Sequence, residues 1–370
     1  MRYIANFARI LVGIEFMFSG FVKVVDPYGT GLKLQEYFEV FAEDLPSLAS
    51  FFEFFAHQSQ LLSILFCAAE FILGAALLFA YKMPKTTWIV LLLMSFFTFL
   101  TFYSAYFNKV TDCGCFGDFL KLDPWHSFIK DVISIAVILV VFAYRHKFRE
   151  SGFAVPAVAI SAIVAFGVGL YAKRYLPLLD FLPYAKGLSI KEQSMPTGVK
   201  PDMQYVFLNK KTNEELKSKE YLMDTTTYKY LSAEILNEAD LKPKITDYVV
   251  TDINGEDFTE ASLEGQKMLV LIKHEDEVSE NEIADLKTLQ KELGDKVEFM
   301  TLTSLSLDEF SKFFTKNNLS GGLYNTDEKV LKTMARTNAV LMLLDNGTVK
   351  GKWSSHNIPD AEDILQVINQ

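Results

Sequence analysis

The sequence predicts a multi-pass α-helical membrane bundle of about five transmembrane helices, followed by a soluble α/β domain. Three observations carry that prediction. The 370-residue chain is 50% hydrophobic, with 32 Phe, which is too apolar for an ordinary soluble protein. Its net charge is nonetheless −10, and the polar residues are gathered in the second half while the first half is greasy. Apolar runs long enough to cross a bilayer core, which takes about 20 residues of helix, stop before residue 175. The domain boundaries follow: a membrane domain over 1–175, a linker and hairpin region over 176–244, and a folded domain over 245–370. The acidic balance gives no support to nucleic-acid binding.

The spans are expected near Ile4–Val25, Leu61–Tyr81, Trp88–Phe107, Ser127–Tyr144 and Gly152–Ala172. The first is too long for a signal peptide, holds Glu15 inside, and has no small-residue cleavage site before Asp26-Pro27. A Phe-rich stretch, Phe51–Phe55, suits the membrane interface instead. Orientation comes from Lys and Arg in short loops. Lys82 and Lys85 lie between the second and third spans, and Arg145, Lys147 and Arg149 between the fourth and fifth. Those loops and Arg2 belong on the cytoplasmic side. The opposite loops are acidic, with Asp26, Glu36, Glu39, Glu43, Asp44 and Glu53 in one and Asp112, Asp118 and Asp123 in the other. An odd number of spans then puts the carboxyl-terminal domain outside, in the periplasm of a bacterial inner-membrane protein.

The outward loop between the third and fourth spans holds Asp112-Cys113-Gly114-Cys115-Phe116-Gly117-Asp118, two of only three cysteines in the chain. Thiols one residue apart can bind a soft metal, exchange disulfides, or close a strained and easily reduced ring. Gly114 supplies the backbone freedom that such a ring needs. The plain alternative is a turn whose thiols happen to be close. An oxidising compartment favours redox activity or a disulfide for Cys113 and Cys115. Cys67, near the outward end of the second span, is either a small buried hydrophobe or a resolving thiol for that pair.

Charges within spans are costly and become functional candidates. They are Glu15, Lys23, Glu70 and the Lys130-Asp131 pair that begins the fourth span. Glu70 and Lys23 either neutralise each other across two packed helices or serve a proton-coupled or quinone-facing role. His126, beside Trp125 at the outward interface, either poises a thiolate or anchors the helix.

Beyond the Pro-bounded exit Leu176–Tyr184, the texture is soluble. Met203–Leu208 and Leu216–Leu222 read as a hairpin. Strands are expected at Met268–Ile272 and Val297–Leu302, and helices at Glu280–Leu293, Leu307–Asn317 and Glu328–Arg336. A hairpin of Val340–Leu344 and Val349–Trp353 turns at Asn346-Gly347, and Ala361–Ile368 forms a last helix.

Several of these motifs carry family resemblances. Arg9-Ile10-Leu11-Val12-Gly13, Ser19-Gly20-Phe21-Val22-Lys23, Asp26-Pro27, Glu70 and Cys113-Gly114-Cys115-Phe116-Gly117 make residues 1–150 resemble the MauE/DoxX superfamily of helical membrane proteins. That family is associated with methylamine-utilisation maturation factors and quinone-linked membrane subunits. The resemblance implies a part in periplasmic redox or disulfide handling, with a quinone as the cofactor to consider. The whole chain is similar to the long DoxX-family proteins of Bacteroidetes. Residues 245–370 resemble the thioredoxin fold by element order and by Phe258-Thr259 with Leu263-Glu264-Gly265-Gln266-Lys267. The place of the thioredoxin CxxC reads Lys273-His274-Glu275-Asp276-Glu277-Val278-Ser279-Glu280, without a cysteine, and Ala339 stands at the place of the cis-proline. Such a domain binds an envelope partner protein rather than performing dithiol chemistry.

Two functions remain open on the sequence. One is a redox-linked membrane protein cycling Cys113 and Cys115, supported by Cys67, Glu15, Lys23, Glu70 and His126. The other is a non-catalytic scaffold whose soluble domain recruits envelope proteins. Whether there is turnover is left open. A small-molecule transporter is disfavoured by the few polar residues inside the spans, and no zinc cluster, nucleotide loop or hydrolase triad is evident.

Overall fold

The structure, a computed structural model, describes residues 2–110, 117, 119–120, 122–237 and 241–369. The chain divides into two compact units. One is Met1–Leu182 with Ala335–Val340 and Trp353–Pro359; the other is Pro183–Met334 with Leu341–Lys352 and Asp360–Gln370.

The first unit is helical: α1 (Arg2–Val25), α2 (Pro27–Asp44), α3 (Ala49–His57), α4 (Ser59–Leu78), α5 (Met83–Phe107), α6 (Pro124–Ala143) and α7 (Ala154–Arg174). Local sequence sets several of these ends. Asp26 and Asp123 cap α2 and α6 by accepting from the Gly29 and His126 amides, and a proline opens each helix just behind the cap. Asn108 closes α5 in a left-handed conformation, φ 52°.

Four helices, α4 to α7, are long and apolar enough to cross a membrane by length and composition. Five were expected. The difference is α1, whose 24 residues carry Arg9, Glu15 and Lys23. Those charges are answered inside the bundle, because α1 runs antiparallel along α4. Arg9 Nη1 donates to the carbonyls of Leu77 and Leu78 at one end, the latter at 2.7 Å, and Lys23 meets Glu70 at the other. The approach is close because glycines line it. A Cβ added to Gly20 would lie 2.5 Å from the Phe71 amide nitrogen, and one added to Gly74 2.5 Å from that of Met17.

The helix α2 was unexpected, since its stretch read as an acidic loop. It buries Leu34, Tyr37, Phe38 and Phe41 on one side, packed with Leu100 and Tyr103 of α5. The Phe-rich segment expected at the interface forms α3, where Phe51 and Phe54 are exposed. Within this unit Arg336 Nε also lies 3.0 Å from Asp26 Oδ2, with both side chains buried.

The second unit is α/β, with two sheets. The smaller holds β1 (Met203–Asn209), β2 (Glu215–Ser218) and β3 (Tyr228–Ile235) in the order β2-β1-β3, all antiparallel to β1. The strands β1 and β2 lie where the hairpin was expected, whereas β3 was not expected, because its mostly exposed residues give little apolar signal. The larger sheet comprises β4 (Gln266–Ile272), β5 (Glu298–Thr303), β6 (Gly322–Asn325), β7 (Ala339–Asp345) and β8 (Thr348–Ser354), in the order β6-β5-β4-β7-β8. Parallel register pairs Met268 with Phe299 and Met300 with Gly322. The helices are α8 (Glu280–Leu293), α9 (Leu307–Lys316), α10 (Glu328–Met334) and α11 (Ala361–Ile368). A capping box starts α8, in which Ser279 and Glu282 each satisfy the other's amide. The turn after β7 has Asn346 at φ 47° and Gly347 at φ 76°, which suits the expected type I′ turn. Burial on both faces explains the unbroken apolar run of β4, where Met268 through Ile272 are at most 1% exposed.

Candidate functional site

Inside the helical unit, α1, α2, α4, α5 and α6 enclose a cavity of about 60 Å³, room for a few waters at roughly 10–15 Å³ each. Its lining sets charged groups among the apolar Phe16, Leu34, Met94, Phe97 and Leu100. Glu15 and Lys23 come from α1, Lys33 from α2, Glu70 from α4, and Lys130 and Asp131 from α6. Thr30, Tyr37 and Thr101 add hydroxyl groups.

The geometry pairs these groups. Lys23 Nζ lies 2.5 Å from Glu70 Oε2, with both side chains 7% exposed. The same ammonium sits 5.0 Å above the Phe97 ring, a second favourable contact for a buried cation. Glu15 accepts from Ser134 Oγ at 2.9 and 3.0 Å, and Lys130 Nζ is 3.6 Å from Glu15 Oε1. Lys130 also pairs with Asp131 at 2.8 Å, and Thr101 Oγ1 donates to the other Asp131 oxygen at 3.0 Å. A buried charge survives when paired and hydrogen-bonded, and Glu15, Lys23, Glu70, Lys130 and Asp131 each have a charged partner here.

Five of the charges selected from the sequence thus share this cavity: Glu15, Lys23, Glu70, Lys130 and Asp131. Cys67 is 1% exposed, beside Thr30, with Lys23, Glu70 and Asp26 near enough to act on it electrostatically. His126 is not brought to the cavity. Its side chain is 77% exposed and its Nδ1 bonds Asp123 Oδ1, three residues back. Burial alone would raise the Asp123 pKa, but the bonds from His126 outweigh it and hold the carboxyl below its usual range.

Cys113 and Cys115 lie outside the described residues. The described end of their loop is placed. A Cβ added to Gly117 would meet Val22 Cγ1 at 3.7 Å and Lys23 Cγ at 3.8 Å. The Phe119 ring stands edge-on to Phe18 at 5.7 Å. The loop therefore returns over the end of α1 that carries Lys23. No group of three or more His, Cys, Asp or Glu that could hold a metal occurs among the described residues.

Lys33, Thr30 and Tyr37 were missed because α2 read as a loop. The signal was present: Leu34, Tyr37, Phe38 and Phe41 follow the i, i+3, i+4, i+7 spacing of an amphipathic helix.

Compared with known proteins, residues 1–144 match the family model of methylamine utilisation protein MauE. No curated protein and no solved structure matches the chain. The helical part is thus similar to MauE, and its apolar helices make the chain a membrane protein in contact with the lipid bilayer.

Proposed function

We propose that this protein is an accessory of thiol–disulfide handling at the outer face of a bacterial inner membrane, with Cys113 and Cys115 as the exchanging pair. One observation carries the reading: a Cβ built on Gly117, two residues after Cys115 in the chain, would lie 3.8 Å from Cγ of Lys23, a residue that lines the charged cavity. A lysine ammonium favours a nearby thiolate, the form that attacks a disulfide. The buried Lys23–Glu70 pair holds that ammonium in place.

The chemistry balances within thiol exchange. A client dithiol transfers two electrons and two protons to the Cys113–Cys115 disulfide, leaving the client oxidised and the pair as two thiols. Reoxidation passes the same electrons and protons to a partner disulfide or to a quinone of the bilayer. At about 60 Å³ the cavity is too small for a quinone, so a quinone would approach from the lipid.

Orientation supports an outward thiol pair if α1 counts as a span, and its antiparallel run beside α4 from Glu70 to Leu78 favours counting it. Five spans then place the carboxyl-terminal unit outside. Its strand order β6-β5-β4-β7-β8, with β4, β5 and β6 parallel, is compatible with a thioredoxin-like domain. It has no cysteine, so its part is to hold a client or envelope partner.

The test is thiol labelling of intact cells with a membrane-impermeant maleimide, before and after reduction, under two growth conditions. Cys113 and Cys115 are expected to label from outside, without reduction in one condition and only after it in the other. A pair locked in one state throughout, or reachable only after lysis, would falsify the reading.

A further inference from the structure

A second cavity, distinct from the ionic one, opens between α2, α3, α4 and α5. It measures about 710 Å³ and is walled by aromatic rings, among them Phe38, Phe41, Phe52, Phe66, Phe96 and Phe99. The rings brace one another: Phe66 stacks on Phe96 at 5.4 Å, and Phe41 meets Tyr103 edge-on at 4.8 Å. The pocket therefore has a built wall rather than a loose gap.

One end of the pocket is polar. Asp44, the last residue of α2, accepts from the Tyr103 hydroxyl and pairs with Lys109, just beyond the end of α5. The Lys109 bond, with that of Tyr103, holds the Asp44 carboxyl below its usual pKa range, so it stays ionised. Both charged side chains remain open to the outside, at 34% for Asp44 and 40% for Lys109. The exposed Tyr106 and Phe107 at the same helix end mark the level where a bilayer meets water. From Phe107 back to Phe96 the helix rises about 16 Å, so the pocket descends from that level into hydrocarbon depth.

A charged rim over a deep apolar pocket at the bilayer boundary fits one phospholipid, its acyl chain among the rings and its headgroup at Asp44 and Lys109. We propose that this pocket binds a zwitterionic aminophospholipid of the phosphatidylethanolamine type. The charges select the headgroup. Lys109 offers a cation to the phosphate, and Asp44 offers a carboxylate to the ammonium. The walls α2 and α3 also expose Glu39, Glu43 and Glu53, which repel an anionic headgroup and attract the ammonium.

The experiment uses the full chain in nanodiscs, with a photoactivatable acyl chain carried either by phosphatidylethanolamine or by phosphatidylglycerol. Crosslinks mapped by mass spectrometry are expected on the pocket segments of α2 to α5, at least about fivefold more with the ethanolamine lipid. Asp44→Asn, at the exposed rim where folding is not at stake, should erase that preference while leaving the crosslinks in place. Leu62→Trp, which puts a larger ring into the pocket wall, should lower the crosslinks themselves. Equal labelling by the two lipids overturns the headgroup assignment. Crosslinks spread along the lipid-facing α7, or a quinone recovered from the pocket in place of phospholipid, overturns the site.

Discussion

Replacing Glu70 with Gln tests the physical basis of the charged cavity. The Lys23–Glu70 pair is 2.5 Å apart and nearly sealed from solvent. At an effective dielectric of ~20, such a separation corresponds to about 7 kcal/mol of attraction, most of which offsets the desolvation of the two ions. Glu70→Gln removes the attraction but leaves Lys23 buried, so the expected loss is about 3–5 kcal/mol. Replacing both partners, Lys23→Met with Glu70→Leu, removes both desolvation costs and should restore the stability to within ~1 kcal/mol or exceed it. The assay is reversible unfolding of the full chain in detergent–lipid micelles, with Lys23→Met and Glu70→Leu made singly to complete a double-mutant cycle. The same double variant should shift the fraction of oxidised Cys113–Cys115 even though it folds, because the ammonium is gone. If Glu70→Gln is as stable as the wild type, Lys23 is not held as a buried cation and the electrostatic argument fails.

Two further predictions concern packing and pH. Gly20→Ala or Gly74→Ala should force α1 from α4 and cost about 1–3 kcal/mol, since each new Cβ would meet backbone at 2.5 Å, whereas Gly167→Ala in α7, with nothing within 4 Å, should be neutral or slightly stabilising in the same unfolding assay. In the α/β unit, burial pushes the Tyr248 phenol up to about 12 against a hydrogen bond with Ser262 that opposes it, and burial raises Tyr184 as well. A raised folded-state pKa means that this contribution, up to about 3 kcal/mol for Tyr248, is complete below pH ~10 and lost as pH climbs toward 12. Tyr248→Phe should therefore flatten the alkaline unfolding profile and remove one late-titrating phenol from the ultraviolet titration. A Tyr248 phenolate appearing with the exposed tyrosines near pH 10 would count against its burial.

Much of this architecture is legible in the sequence wherever burial imposes a period. The runs behind α4 to α7 and the two-sided burial of β4 and β7 leave long apolar stretches that need no tertiary information. The capping pair Ser279 and Glu282 and the Asn346-Gly347 turn are equally local. What escaped is set by partners far away in sequence. Leu34, Tyr37, Phe38 and Phe41 form a buried face only because α5 covers them, and the acids around them disguise it. The same limit applies to the cavity. Glu15, Lys23 and Glu70 stand out as charges in apolar runs, but nothing local says that Lys130 reaches Glu15 from 115 positions away, or that Lys33 joins them. His126, near the cysteines in sequence, lies exposed on the cap of its own helix and not among these charges.

The balance of charges in the cavity bears on what it can do. Three carboxylates, Glu15, Glu70 and Asp131, face three lysines, Lys23, Lys33 and Lys130. With all six ionised the set is neutral, so a lone ion entering it gains no net attraction and still loses its hydration. That argues against a pathway for ions. The compensation is local as well as total, because Glu70 answers Lys23 while Glu15 and Asp131 both answer Lys130. Removing one member by substitution leaves its partner's charge uncompensated, which is why the paired replacement of Lys23 and Glu70 is the informative one.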